Sequence, residues 1–214
     1  MNLRKWQILL ERSTPDVQCS GAHMANEQYG GRNAIEIETG LFLYGLVRRF
    51  LPHTIVETGT HMGFASACMA LALEDRLPQQ RKACVITLDM GLYPQSRNLW
   101  FDLDLQNWIL PVIGDSSTWK YDWAEPIDML FLDADHGTEF VIKEYLNYFP
   151  YLNREKAIIL FHDTTLDVRV APAIKRCLTM FPDEISIRGY RTVSHVPFRT
   201  LRGLDMLLLS NEKL

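Results

Sequence analysis

No two cysteines stand in a C-x-x-C arrangement; the four are Cys19, Cys68, Cys84 and Cys177. That spacing excludes the common zinc and dithiol redox motifs. Cys68 and Cys84 fall in apolar patterns and read as small core residues. No apolar run reaches membrane-spanning length, and Met1–Trp6 has no long apolar stretch after its basic residues. The expectation is a cytoplasmic protein with reduced thiols and no membrane partner. Positive charge is also scarce: 22 Lys and Arg against 26 Asp and Glu give a net charge of −4 and a pI near 5.9. The late basic residues Arg169, Lys175, Arg176, Arg188, Arg191, Arg199 and Arg202 are scattered singly. They suit a solvated surface or the rim of an anionic substrate site, so no nucleic-acid partner is expected. Repeats, low-complexity tracts and linkers are absent. With 214 residues and 47% hydrophobic content the chain is too apolar for disorder and sized for one main domain.

The stretch Thr54–Ser66 organises what is present. It opens as an apolar run, acquires an acid at Glu57, and breaks into a turn containing Gly59 and Gly63. Small and apolar residues suited to a close-packed helix follow. Strand, glycine turn and helix in that order place a ligand outside the carboxyl end of a strand. Glycine lets the backbone approach that ligand, and the helix start offers free N–H groups to an anionic group.

Residues 2–12 predict a short amphipathic helix whose apolar side, with Trp6, could serve a homo-oligomer interface. Residues 13–33 are polar and glycine-containing, long enough for a lid that carries His23, Met24 and Tyr29. A helix is expected over 34–50 with Ile35, Leu41, Phe42, Leu46 and Val47 inward. Five strands are expected at 54–59, 83–89, 108–115, 127–135 and 156–163. Helices are expected over 94–105, 137–152 and 168–181, besides the one after the glycine turn. Two last strands, 184–190 and 204–209, follow with a loop carrying Pro197 and Gly203 between them. Residues 1–33 thus form an N-terminal helix and lid segment, and 34–214 the main domain. Alternating strands and helices predict an α/β fold with a mostly parallel sheet covered on both faces. The last two strands, with no long helix between them, should pair antiparallel at one edge.

Each of the first five strands ends in an acid: Glu57, Asp89, Asp115, Asp133 with Asp135, and Asp163. A parallel sheet gathers these ends on one edge. One such acid is an ordinary helix cap; five repel one another unless a cation or hydrogen-bond donors sit among them. Asp89, at the end of the strand after the glycine turn, is placed to hold ribose hydroxyls. That leaves NAD or S-adenosylmethionine as the nucleoside. The turn lacks the close G-x-G pair of the NAD fingerprint, and Glu57 would repel a pyrophosphate but attract an α-amino group. Asp133 and Asp163, with His162, suit a hard divalent cation. His136 is a candidate general base for a hydroxyl. His61 reads as a turn residue facing the cofactor, His53 as structural, and His195 and Tyr190 as candidates for a substrate mouth.

Val56-Glu57-Thr58-Gly59-Thr60-x-x-Gly63 resembles the first motif of class I S-adenosylmethionine-dependent methyltransferases, in the form found in metal-dependent O-methyltransferases. Asp89 matches the ribose acid, with Met90 beside it, and Gly114-Asp115-Ser116 matches the segment near the adenine. Leu132-Asp133-Ala134-Asp135-His136 resembles the D-A-D-K segment of the catechol and caffeoyl-CoA enzymes, with His136 in place of lysine. Phe161-His162-Asp163-Thr164-Thr165 resembles their later metal motif. D-x-D-H with a later F-H-D is closer still to the macrolide-sugar, rhamnosyl and cephalosporin hydroxylase-like branch. The resemblance spans about 36–163. It implies a Rossmann-like class I fold: a seven-stranded, mostly parallel sheet with one antiparallel edge strand and helices on both faces. It implies S-adenosylmethionine at Glu57, Thr58, Gly59, Thr60, Gly63, Ser66, Asp89, Met90, Asp115, Ser116 and Asp133. It also implies Mg2+ at Asp133, His162 and Asp163, His136 as the catalytic base, and a small hydroxylated acceptor. Thr164, where the catechol-type enzymes have Asn, leaves the third metal ligand open. A metal-independent methyltransferase, a nucleotide-binding dehydrogenase and a non-catalytic cofactor-binding subunit are the rival functions.

Overall fold

Short apolar runs separated by helical segments give strands and helices in the expected alternation. The computed structural model describes residues 3–12, 35–76, 83–165, 167–180, 189–200 and 202–212. Its elements are α1 (Leu3–Arg12), α2 (Ile37–Phe50), β1 (Thr54–Thr58), α3 (Phe64–Arg76), β2 (Cys84–Asp89), α4 (Pro94–Asp102) and β3 (Ile109–Ile113), then β4 (Met129–Leu132), α5 (Thr138–Tyr148), a 3-10 turn (Phe149–Tyr151), β5 (Lys156–His162), α6 (Val170–Met180), β6 (Thr192–Phe198) and β7 (Leu204–Ser210). The strands form a seven-stranded sheet in the order β3-β2-β1-β4-β5-β7-β6. β4 pairs parallel with β1 and β5, and β2 parallel with β3. β7 alone runs against its neighbours, β5 and β6. The expected antiparallel pair at the sheet's end is therefore there. The reversed strand, β7, lies one place in from the edge. The proposed lid, 13–33, lies outside the described residues.

Two compact units make up the chain, Met1–His53 with Thr60–Ile113, and Thr54–Gly59 with Gly114–Leu214. In the first, α3 is buried from Phe64 through Leu73, as its run of Ala, Ser and Cys allows. A Cβ on Gly40 of α2 would come within 2.8 Å of the Phe64 ring and 2.9 Å of Cys68 Sγ, so α2 and α3 approach closely. The inward face of α2 is Thr39, Gly40, Leu43, Leu46 and Val47. Leu41, expected inward, is exposed. The stripe passes through Thr39 and Gly40, which hydrophobicity alone does not mark. On α1, Trp6 packs edge-on against Tyr44 at 4.8 Å and Lys5 pairs with Glu74 at 2.6 Å. Trp6 is thus spent within the chain, while Leu3 and Leu10 stay exposed. Cys68 is core as expected, and Cys84 is half-buried at the start of β2. β3 is not covered on both faces. Leu110, Pro111 and Ile113 are exposed, because β3 is an edge strand.

In the second unit β1, β4 and β5 are buried almost without interruption. The sixth strand differs from expectation. Residues 184–188 lie outside the described residues, Tyr190 is not in a strand, and β6 is Thr192–Phe198. Its residues alternate between half-buried and exposed and include Thr192, Ser194, His195 and Pro197. That polar pattern hid the strand. Proline is tolerated because β6 is an edge, where one row of N–H groups needs no ladder partner.

Candidate active site

The glycine turn has the shape that its residues demand. Gly59 and Gly63 adopt φ of 83° and 72°, the left-handed region that favours glycine. A Cβ on Gly59 would lie 2.0 Å from the Asp133 carbonyl oxygen, so the turn rests directly on the end of β4. One on Gly63 would lie 2.6 Å from Trp100 Nε1. Trp100 Nε1 donates to the Gly63 carbonyl at 2.9 Å, and Ser66 Oγ donates to the same oxygen at 3.1 Å. Thr60 and Thr87 join through their hydroxyls at 2.7 Å. Asp89 Oδ2 accepts the His61 N–H at 2.8 Å, so the expected ribose acid braces the turn. His61 itself has φ of 41°, and its ring meets Tyr93 edge-on at 5.1 Å. Glu57 and Thr58 are buried, whereas Met90 is 75% exposed.

The acid-and-histidine cluster lies at the ends of β4 and β5. His136 Nε2 stands 3.1 Å from Asp163 Oδ2 and 3.5 Å from Asp133 Oδ1, and its Nδ1 is 3.9 Å from Asp167 Oδ2. His136 Nε2 is buried and is aligned with no hydrogen-bond partner. The donor atoms of Asp133, His136 and Asp163 all lie within 4.8 Å of one another. Two carboxylates and an imidazole in that arrangement fit a divalent cation. His162, named from sequence with Asp133 and Asp163, faces both of them, its Nδ1 3.5 Å from Asp163 Oδ1. It is buried, and its Nδ1 lies 2.9 Å from Asp133 Oδ1. Burial works to raise the Asp133 pKa, but charge and hydrogen bonding from the two imidazoles outweigh it and hold it well below the usual range. His136 is raised by its interaction with Asp133 and by the Asp163 charge, against the effect of burial.

Two participants escaped the sequence. Arg202, counted there among scattered surface cations, grips Asp163 with its guanidinium fork. Nε reaches Oδ1 at 2.5 Å and Nη2 reaches Oδ2 at 2.6 Å. Asp163 is fully buried with φ of 59°. Its partner comes from the β6–β7 turn, 39 residues on. Asp167 is held down to about 2 by hydrogen bonds from Arg169. Local sequence shows the Asp167–Arg169 spacing but not that it faces His136.

The third group is the turn after β3. Asp115 Oδ1 accepts both the N–H and the hydroxyl of Ser117, at 2.9 and 2.7 Å. Ser116 is buried, and its hydroxyl points inward to Glu144 Oε1 at 2.6 Å. Burial pushes the Glu144 carboxyl up to about 7. Glu144 had no mark in the sequence beyond its place on a helix. Tyr190 and His195, candidates for a substrate mouth, each have a partner. Tyr190 donates to the Asn153 carbonyl at 2.6 Å, and His195 pairs with Asp205 at 2.5 Å.

A parallel sheet with one reversed strand, and a glycine turn seated on the end of a buried strand, define a Rossmann-like α/β fold. Residues 56–164, more than half of the chain, match the family described as a methyltransferase domain, and the chain belongs to that family. Solved structures agree in fold. The O-methyltransferase from Bacillus cereus in complex with SAH (S-adenosylhomocysteine) superposes with a TM-score of 0.65 at 21% identity, covering 95% of this chain and 91% of that one. The O-methyltransferase TomG from Streptomyces achromogenes, involved in tomaymycin synthesis and solved with SAM (S-adenosylmethionine), gives 0.64 at 18% identity, covering 92% of each chain. The SAH-bound Podospora anserina methyltransferase PaMTH1 gives 0.55 at 16%, covering 94% and 86%. No curated protein matches the chain in sequence. Among the described residues, no helix is long and apolar enough to cross a membrane.

Proposed function

We propose that the protein transfers a methyl group from S-adenosylmethionine to a hydroxyl of a small molecule such as a sugar, a natural product or a catechol-like compound. The observation that carries this is His136: a buried imidazole nitrogen with no hydrogen bond, facing two carboxylates, on the strand end against which Gly59 packs. Membership of the methyltransferase family and the O-methyltransferase neighbours with bound SAM or SAH support it. Glu57, Thr58, Gly59, Thr60, Gly63, Ser66, Asp89 and Met90 hold the amino-acid and ribose portions, and Asp115, Ser116 and Asp133 the remainder.

S-adenosylmethionine, when bound, supplies an electrophilic methyl carbon. His136 Nε2 receives the acceptor's hydroxyl proton, and the negative field of Asp133 and Asp163 favours the imidazolium that results. Asp167, on the Nδ1 side, strengthens that field. His162 orients Asp133. The site residues hold acceptor oxygen and methyl donor in register, which lowers the entropic barrier. A divalent cation such as Mg2+ fits Asp133, His136 and Asp163, and when bound would lower the pKa of a coordinated hydroxyl. Where His162 rather than His136 would complete the cation's ligands with Asp133 and Asp163, His136 Nε2 would still receive the hydroxyl proton.

Arg202 favours a second, metal-independent reading. Its fork already balances Asp163, leaving His136 as the base without a cation. Calorimetric titration with S-adenosylhomocysteine and NAD tests the cofactor. Binding of NAD alone would overturn the proposal. Methyl transfer to a panel of hydroxylated acceptors, before and after EDTA, decides between the metal-dependent and metal-independent forms.

A further inference from the structure

Glu144 is a buried carboxyl in the middle of α5, where an apolar residue would cost less. Its Oε1 accepts the Ser116 hydroxyl at 2.6 Å, and its Oε2 is buried without a hydrogen bond. The same helix grips Ser116 twice more. Tyr148 Oη donates to the Ser116 carbonyl at 2.8 Å, and Asn147 Nδ2 donates to it at 3.1 Å and to the Trp119 carbonyl at 2.7 Å. Hydroxyl and carbonyl of one residue are thus tied to three side chains of one helix, Glu144, Asn147 and Tyr148. The turn is also closed from within, because Trp119 N–H donates to the Asp115 carbonyl at 2.8 Å. With its hydroxyl and carbonyl committed to α5, Ser116 has only its backbone N–H, beside the half-exposed Asp115, to present to a ligand.

We propose that Glu144 is a positioning residue that fixes the Asp115–Trp119 turn, through the Ser116 hydroxyl, in the conformation that receives the adenosine end of the cofactor. This rests on the cofactor reading above. It changes the role of Ser116 from a side-chain ligand to a backbone one. Burial raises the Glu144 pKa, which keeps a large share of the carboxyl neutral near pH 7 and tolerated in that interior. Asp133 and Asp115 act in the same direction.

The test is calorimetric titration of S-adenosylhomocysteine into the full chain and its E144Q, E144M and S116A variants, with urea unfolding of each. Glu144→Gln keeps an acceptor for the hydroxyl and should bind within about threefold of wild type. Glu144→Met fills the volume without an acceptor. Its urea midpoint should stay close to wild type, since removing a buried carboxyl offsets leaving the Ser116 hydroxyl without an acceptor, yet it should bind about tenfold more weakly. Ser116→Ala should weaken binding to a similar degree, and Ser116→Ala with Glu144→Met should be no worse than either alone. Wild-type affinity in Glu144→Met would overturn the proposal. So would weakened binding in Ser116→Ala with both Glu144 variants unaffected, because the hydroxyl would then be the ligand itself. Failure of the wild-type chain to bind S-adenosylhomocysteine would instead sink the cofactor reading.

Discussion

His136, 25% exposed, and Glu144, fully buried, are titratable groups whose surroundings treat them oppositely. His136 lies among carboxylates that favour its charged form. Replacing it with Ala should lower kcat by about 10²–10⁴-fold, the usual share of a general base, while S-adenosylhomocysteine binding stays near wild type. A variant with unchanged kcat would remove His136 from the chemistry. Burial, with the Asp133 and Asp115 charges, favours the neutral form of Glu144 against its hydrogen bonds, so its folded pKa of about 7 lies above the ordinary 4.5. Below pH 4.5 the carboxyl is protonated in both states and has no effect on stability. Between there and pH 7 the folded state holds the proton more tightly, so rising pH removes stability, up to about 3 kcal/mol in all. Urea unfolding at pH 5 and pH 8 should show wild type losing that margin relative to Glu144→Gln. Parallel changes in the two proteins would show that Glu144 does not titrate in this window.

At the scale of elements, the glycine turn is the least replaceable part. Gly59→Ala would put a methyl group where the Asp133 carbonyl stands and force a left-handed φ on alanine. A loss of about 2–4 kcal/mol is expected from urea midpoints. A loss under about 0.5 kcal/mol would mean the turn can move off β4. The strand–turn–helix unit was legible because its cause is local: apolar run, glycines, then small helix formers. β1, β2, β4 and β5 were legible for the same reason, as unbroken apolar runs. β6 was not, since an exposed edge strand has little apolar burial to encode and Pro197 argues against any strand. The acids at the strand ends were visible, but their partners were not. Arg202 meets Asp163 only after the β6–β7 turn folds back, and Glu144 looks in sequence like any acid on an amphipathic helix. His136 and His162 both turn towards the two carboxylates; what spacing does not carry is that His162 is buried and His136 partly exposed.

For the molecule as a whole, cofactor binding should appear as stability. S-adenosylhomocysteine at about a hundred times its Kd adds about 2.7 kcal/mol, which for a chain of this size raises Tm by roughly 5–10 °C. NAD at the same concentration should leave Tm unchanged. The reverse pattern would point to the dehydrogenase alternative.

The β6–β7 turn is fastened to the end of β5 at several points. Thr165 N–H donates to the Arg202 carbonyl at 2.9 Å, and Gly203, with φ of 87°, leaves no room for a Cβ beside Thr165. The family match ends at residue 164, before this turn begins. Two relatives could therefore agree at every position of the matched stretch and still differ in the net charge around the same aspartate. One with an arginine on the hairpin would carry its counter-ion in the chain, and one without would have to recruit it from solution. On the proposed reading, the charge balance at Asp163 is thus set by a hairpin outside the stretch that the family match covers.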